Sequence, residues 1–230
     1  MNNVQVILGG SFDPFHLGHL QMLRESIDQL SPKYLRVLPC FQQALKSHTA
    51  IKSKHRMAML KLIVKQVNTE QKDKPKQCNV LLDDFEISQN QINYSIKTLT
   101  QFSNTFDESL VFLMGEDSIL NIQKWKQWEQ LLDVCHIAIV KRKVKRKVKQ
   151  TNKTDKQDLF DCLPQTWQPK WVDLSVFKQS IKNQKAGLIC QIEMDYVDIS
   201  SSFIKTNLND SQALLPAVIF DYINEHQLYK

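Results

Sequence analysis

The run Val4-Gln5-Val6-Ile7-Leu8 leads straight into Gly9-Gly10-Ser11-Phe12-Asp13-Pro14-Phe15-His16-Leu17-Gly18-His19, and this junction constrains the fold more than any other part of the chain. A short β-branched and aliphatic run halted by two glycines reads as a buried strand ending in a tight turn. Leu20, Leu23, Ile27 and Leu30 then recur at helical spacing until Ser31-Pro32 closes the pattern, so a helix is expected from near His16 to about Leu30. Strand, turn and helix in succession present backbone N–H groups and the positive end of a helix dipole at one edge of a sheet, where an anion can bind. Gly9, Gly10 and Gly18 carry no side chain to hold a phosphate off the backbone, and Pro14 can pre-set the turn. His16 and His19, three apart at the helix start, should face one side and converge on one phosphate. The segment lacks the Lys-Ser/Thr ending of a P-loop and the glycine spacing of a dinucleotide-binding turn, which leaves phosphate handling by histidine. Paired histidines at this spacing, taken alone, are more often structural, but the glycines and the first-strand position favour the functional reading. Asp13, His16 and His19 could also begin a transition-metal site; the local sequence offers no further ligand, so no metal-ligating residues are assigned.

The alternation continues down the chain. Residues 34–38 read as a strand ended by Pro39, and Ser53 can cap a helix with the stripe Met57, Leu60, Ile63, Val64 and Val67. Residues 80–82 form a short strand, 94–102 a helix, 110–114 a buried strand delivering Gly115-Glu116-Asp117-Ser118, 125–132 a helix and 137–140 a strand. This predicts an α/β fold: a Rossmann-like parallel sheet with helices on both faces. A further strand at 189–194, a helix from Ser200 to about Leu208 and a last helix over 216–226 make a small C-terminal helical part. With 230 residues and 42% hydrophobic content the chain can bury one substantial core, so one domain over 1–230 is expected.

The formal charge of +6 is local: residues 141–149 hold seven Lys and Arg, and without them the chain would stand at 6 − 7 = −1. That run opens a polar stretch, about 141–186, expected to be an exposed, mobile excursion. The basic run 141–149 has no interleaved aromatics for base stacking, so nucleic acid is not the expected partner. The five cysteines show no Cys-x-x-Cys spacing and suit free thiols in a reducing compartment. No apolar run reaches membrane-spanning length and the first residues lack a signal-peptide pattern, so a cytoplasmic protein without a membrane partner is expected. A homo-oligomer is compatible with all of this.

The segment Gly9 to His19 resembles, over eleven consecutive positions, the Gly-Gly-Ser/Thr-Phe-Asp-Pro-x-His-x-Gly-His signature of the HxGH nucleotidyltransferase superfamily. Further blocks resemble, in order, those of the bacterial nicotinate-nucleotide adenylyltransferases: Arg56-Met57-Ala58-Met59-Leu60; Asn93-Tyr94-Ser95-Ile96-Lys97-Thr98-Leu99; Gly115-Glu116-Asp117-Ser118 with Trp125 and Trp128; Ile199-Ser200-Ser201-Ser202-Phe203-Ile204-Lys205; and Leu214-Leu215-Pro216 with Tyr222-Ile223 and Leu228-Tyr229. The chain departs from the family at Gln43-Ala44-Leu45-Lys46, where Pro-Pro-His-Lys is usual, and at Ser202 and Lys205, which replace Thr and Arg. His48 could stand in for the histidine replaced by Leu45.

The resemblance implies a Rossmann-like enzyme that joins ATP and nicotinate mononucleotide into nicotinate adenine dinucleotide and pyrophosphate, with Mg2+. His16 and His19 would hold the triphosphate and stabilise the transition state. The backbone of Gly9, Gly10, Ser11, Phe12 and Gly18 would cradle ATP, Asp117 would meet its ribose, and Ser202 and Lys205 would support its β- and γ-phosphates. Trp125 would stack on the pyridine ring, amides near Ser95 and Lys126 would receive the nicotinate carboxylate, and Lys46 and Arg142 would bind the mononucleotide. Without the resemblance, Trp125 and Trp128 would both read as core, Asp117 as a helix cap, Lys205 as solvated, and Arg56 as solvent-facing or salt-bridged. The alternatives are transfer to nicotinamide mononucleotide or another phosphate acceptor such as phosphopantetheine, and a relative that binds nucleotide or nucleic acid without catalysis.

Overall fold

The computed structural model describes residues 2–42, 50–75, 77–143, 159–195 and 199–229. In chain order the elements are β1 (Asn2–Gly10), α1 (Leu17–Leu30), β2 (Pro32–Pro39), α2 (Ser53–Gln71), β3 (Asn79–Leu82), α3 (Phe85–Ser88), α4 (Ser95–Thr105), β4 (Ser109–Gly115) and α5 (Glu116–Ile119). Then come α6 (Leu131–Val134), β5 (His136–Lys143), α7 (Leu159–Cys162), α8 (Leu174–Ser180), β6 (Ile189–Asp195), α9 (Ser201–Thr206) and α10 (Ala217–Glu225). The strands make one parallel sheet in the order β3-β2-β1-β4-β5-β6. β1 lies between β2 and β4, with Leu8 opposite both Val37 and Leu113. The strand order reverses beside β1, and such a reversal opens a crevice at the carboxyl ends of the strands. The loop of residues 11–16 hangs over that crevice because it follows β1 directly and leads into α1.

Alternation along β1 divides the core into two layers. Val4, Val6 and Leu8 face the layer built with Leu20, Leu23 and Ile27 of α1, Met59, Leu60 and Ile63 of α2, and Ile219 and Ile223 of α10. Ile7 faces the other layer, with Leu99 and Phe102 of α4, Phe112 of β4 and Trp167. The α1 stripe is buried as its spacing predicts. The α2 stripe is rotated by one residue: Arg56, Met59, Leu60, Ile63 and Val67 are buried, while Met57 and Val64 are half-buried.

Two expectations are corrected. The helix expected over 125–132 is replaced by 3-10 turns at Ile122–Lys124 and Trp128–Gln130 followed by α6. Gln127 adopts φ 52°, a left-handed conformation that ends any helix begun at Trp125. Of the excursion expected over 141–186, β5 occupies the start, and residues 159–186 carry α7, α8 and core side chains, Trp167 and Phe177 being 2% and 0% exposed. Trp167 packs edge-on against Trp128, with centroids 5.3 Å apart, and Val172 N–H bonds to Ile189 O at 2.9 Å. A few apolar anchors in a polar stretch suffice to dock it. Most of the basic run lies outside the described residues.

β6 is an edge strand, and α1 covers its outward backbone groups. Gln29 Nε2 donates to Glu193 O at 2.7 Å while Glu193 N–H donates to Gln29 Oε1 at 3.3 Å. Gln21, two turns earlier, can make the same pair with Asp195, its amide nitrogen donating at 3.3 Å and its oxygen accepting at 3.2 Å. Side-chain amides thus stand where a neighbouring strand would.

His136, fully buried at the start of β5, ties this region together. Its Nε2 meets Gln184 O at 2.8 Å and its Nδ1 accepts from Leu188 N–H at 3.1 Å, so the ring is neutral with its proton on Nε2. Burial lowers its pKa from 6.5, and the Gln184 carbonyl only partly offsets this. A folded pKa below the unfolded value means the unfolded chain takes up the proton first on acidification. The contribution to stability is therefore complete above about pH 6.5 and is lost as pH falls through the lower folded value. His136→Gln is expected to flatten the decline in Tm between about pH 7.5 and about pH 5. A decline of unchanged steepness in the variant would show that other groups carry it.

Candidate active site

The loop after β1 is shaped by packing as much as by turn chemistry. Phe12 has φ 49°, in the left-handed region that bulky residues rarely enter, yet it is 1% exposed. Its ring holds it there, 5.6 Å from Phe15 and 5.1 Å edge-on from His19. A Cβ at Gly10 would stand 3.0 Å from the Phe12 ring, and one at Gly18 would stand 3.1 Å from the His16 ring. A side chain at either position would thus press on the protein's own rings, which would have to shift by a few tenths of an ångström. Phe12 can offer a ligand only its backbone.

Arg56 corrects the expectation of a solvent-facing or salt-bridged residue. It is 0% exposed, and its guanidinium donates to Ser11 O and Cys40 O at 2.8 Å each, Phe41 O at 2.9 Å and Ser53 Oγ at 3.2 Å. The loop after β1 and the end of β2 are thereby fixed to the first turn of α2. Burial lowers its pKa from 12.5, which leaves the planar fork charged at neutral pH.

His16 is the N-cap of α1 and His19 its third residue, in a capping-box arrangement. His16 N–H donates to His19 Nδ1 at 3.3 Å, so a neutral His19 carries its own proton on Nε2. The two rings stack with centroids 3.7 Å apart and planes 24° from parallel. They share one side of the helix start, as the spacing predicts, with His16 buried and His19 half-buried.

α9 comes to the same loop. Ser200 caps it, its side chain accepting from Phe203 N–H at 3.1 Å, and Ser201 Oγ donates to Pro14 O at 3.0 Å. Lys205 Nζ lies 3.3 Å from Asp13 Oδ2, and Ser202 is exposed. Asp13 also accepts from Ala50 N–H at 2.7 Å and from the Tyr229 hydroxyl at 2.8 Å. The roles of Asp13 and Tyr229 are legible only here, since 216 residues separate them.

The other wall begins at the end of β4. Asp117 is exposed in α5, and Trp125 is half-buried with its ring edge-on to Phe112 at 6.2 Å. Phe112 in turn lies 3.3 Å from where a Gly9 Cβ would be, so this wall is continuous with the β1 loop. Lys126 Nζ sits 4.6 Å from the centre of the Tyr94 ring, next to Ser95, the first residue of α4. Beneath them Thr98 Oγ1 donates to the buried Glu86 at 2.7 Å and Asn93 Nδ2 to Glu86 O at 3.4 Å, which fixes α3 to α4. Burial raises the Glu86 pKa from 4.5. Sequence reading missed Glu86, although an acidic residue flanked by apolar ones was a signal.

Of the residues expected at the site, His16, His19, Lys205 and the glycine loop are brought together on one side, and Ser95, Trp125 and Lys126 on the other. Lys46, with Leu45 and His48, lies outside the described residues. Arg142 belongs to β5. A cavity of about 670 Å³ elsewhere, between α1, β6 and residues 171–174, is lined by none of the expected site residues. Among the described residues no group of three or more His, Cys, Asp or Glu could hold a metal ion, and no helix is long and apolar enough to cross a membrane.

The model of the cytidylyltransferase-like family matches residues 7–207. The "probable nicotinate-nucleotide adenylyltransferase" of Shewanella frigidimarina is 31% identical over 228 residues, covering 97% of this chain and 98% of the relative. That of Idiomarina loihiensis is 28% identical over 229 residues, covering 98% and 99%. Among solved structures, the Plasmodium falciparum nicotinic acid mononucleotide adenylyltransferase complexed with NaAD superposes with a TM-score of 0.67 at 21% identity, over 98% of this chain and 97% of that one.

Proposed function

The chain belongs to the nicotinate-nucleotide adenylyltransferases of the cytidylyltransferase-like family, and from that premise we propose that it joins ATP and nicotinate mononucleotide to give nicotinate adenine dinucleotide and pyrophosphate in NAD biosynthesis. The observation that carries this reading is the convergence of the stacked His16 and His19 and the ammonium of Lys205 on the loop after β1.

A phosphate oxygen of the mononucleotide attacks the α-phosphorus of ATP; the bond from that phosphorus to the bridging oxygen breaks, and the electron pair leaves with pyrophosphate. The nucleophile is already anionic, so no strong base is required. Rate comes from alignment and from neutralising charge on the departing group. In this reading His19 offers its Nε2 proton to the phosphates, His16 stands beside it, and Lys205 and Ser202 meet the β- and γ-phosphates. The backbone of Gly9, Gly10, Ser11, Phe12 and Gly18 lines the phosphate path. Asp117 receives the ribose, and Lys46 and Arg142 serve the mononucleotide. Mg2+ arrives as part of the substrate, bound to ATP: Asp13, the carboxylate of this loop, is already engaged by three donors. A cytoplasmic location belongs to the same reading and is supported by five unpaired cysteines.

Preference for a pyridine nucleotide rests on Trp125 against the ring, and selection of the acid over the amide on the amides near Ser95 and Lys126 for the carboxylate. Pyrophosphate release with ATP plus each acceptor tests it. Nicotinate mononucleotide should exceed nicotinamide mononucleotide in kcat/KM by about tenfold or more, the factor that ~1.4 kcal/mol of lost contact gives. Equal or better turnover of phosphopantetheine would overturn the assignment.

A further inference from the structure

Beyond α10 the chain turns back through Gln227 and Tyr229, at φ 51° and 62°, with Leu228 N–H bonded to Ile223 O at 3.0 Å. This return brings the Tyr229 hydroxyl to 2.8 Å from Asp13 Oδ1. The other oxygen, Oδ2, accepts from Ala50 N–H at 2.7 Å and from Lys205 Nζ at 3.3 Å. The Asp13 side chain is 4% exposed and that of Lys205 30%, so the lysine reaches from a closed anchor toward the open site. An ammonium has three protons, and one given to Oδ2 leaves two for phosphate oxygens. A carboxylate with both oxygens open would draw the ammonium into a two-point contact.

We propose that Tyr229 is a positioning residue for adenylyl transfer: by filling Asp13 Oδ1 it limits Asp13 to a single contact with Lys205, whose remaining protons stay available to the triphosphate. Burial, reinforced by the charge of Asp13, holds the phenol far above its usual pKa, so it remains a donor throughout the working range. The proposal rests on the reading of Lys205 as a triphosphate ligand.

Steady-state kinetics of the full chain, varying MgATP and nicotinate mononucleotide separately, test both. Tyr229→Phe keeps the ring and is expected to raise KM for ATP about three- to tenfold, the effect of one weakened hydrogen bond, with KM for the mononucleotide unchanged. In a Lys205→Met background the same change should leave KM for ATP where Lys205→Met alone puts it. An equal rise in both backgrounds, or none with Lys205 present, overturns the role of Tyr229 while leaving that of Lys205 intact. No change in KM for ATP with Lys205→Met alone overturns the lysine's role and this proposal with it.

Discussion

Replacing His19 with alanine is expected to slow pyrophosphate release by about a hundredfold to a thousandfold, the usual consequence of removing one donor aimed at charge that develops in the transition state. The structural cost is far smaller. The His19 ring accepts from His16 N–H, stacks on the His16 ring at 3.7 Å and touches Phe12 and Phe15 at centroid distances of 5.1 and 5.3 Å. Losing such a cap costs about 1 kcal/mol, which in a chain of this length lowers Tm by roughly 2–4 °C. Rate and stability are thereby separable, and circular dichroism melts beside a coupled pyrophosphate assay measure both. A His19→Ala protein that turns over like the wild type would remove the histidine mechanism, whereas nucleotide binding without any pyrophosphate release in the wild type would favour a relative that has lost catalysis.

Arg56→Met is expected to do the reverse, acting first on the fold. The substitution leaves Ser11 O, Cys40 O and Phe41 O without their guanidinium donors in a site closed to water. Each buried acceptor left without a partner costs about 1–3 kcal/mol; with partial relaxation a total of roughly 3–5 kcal/mol follows, comparable to breaking a buried charged network. A fall in Tm of about 10 °C or more corresponds to this. Arg56→Lys should recover only part of it, since one ammonium cannot span carbonyls on both segments. Activity should fall as well, because Ser11 belongs to the loop after β1 that is proposed to cradle ATP. A melting temperature within about 2 °C of wild type in Arg56→Met would show that water or neighbouring donors replace the guanidinium.

The parts of this molecule legible in its sequence are those set by local periodicity. Val4 to Leu8, Leu110 to Met114 and the stripe from Leu20 to Leu30 each announce their element because burial of one face decides their conformation. The stacked histidines could be anticipated for the same reason, being three apart at a helix start. Residues 122–134 could not, because Gln127 enters a left-handed conformation without the glycine or asparagine that usually signals one. Residues 159–186 carry no period at all, and Trp167 and Phe177 are docked by tertiary contact. Arg56 stood in view, one helical turn before Met59 and Leu60 on the buried stripe, but a sequence cannot show which carbonyls await it. The bonds of Asp13 to Lys205 and Tyr229 join residues 192 and 216 positions away and belong wholly to the folded state.

Gln21 and Gln29 have a consequence for crowded solutions. With their amides seated along the outer margin of β6, and β3 at the opposite margin only four residues long, an incoming strand meets no continuous ladder on either side. Addition of a strand from a second copy at β6 is thereby disfavoured by a pair of neutral side chains rather than by electrostatic repulsion.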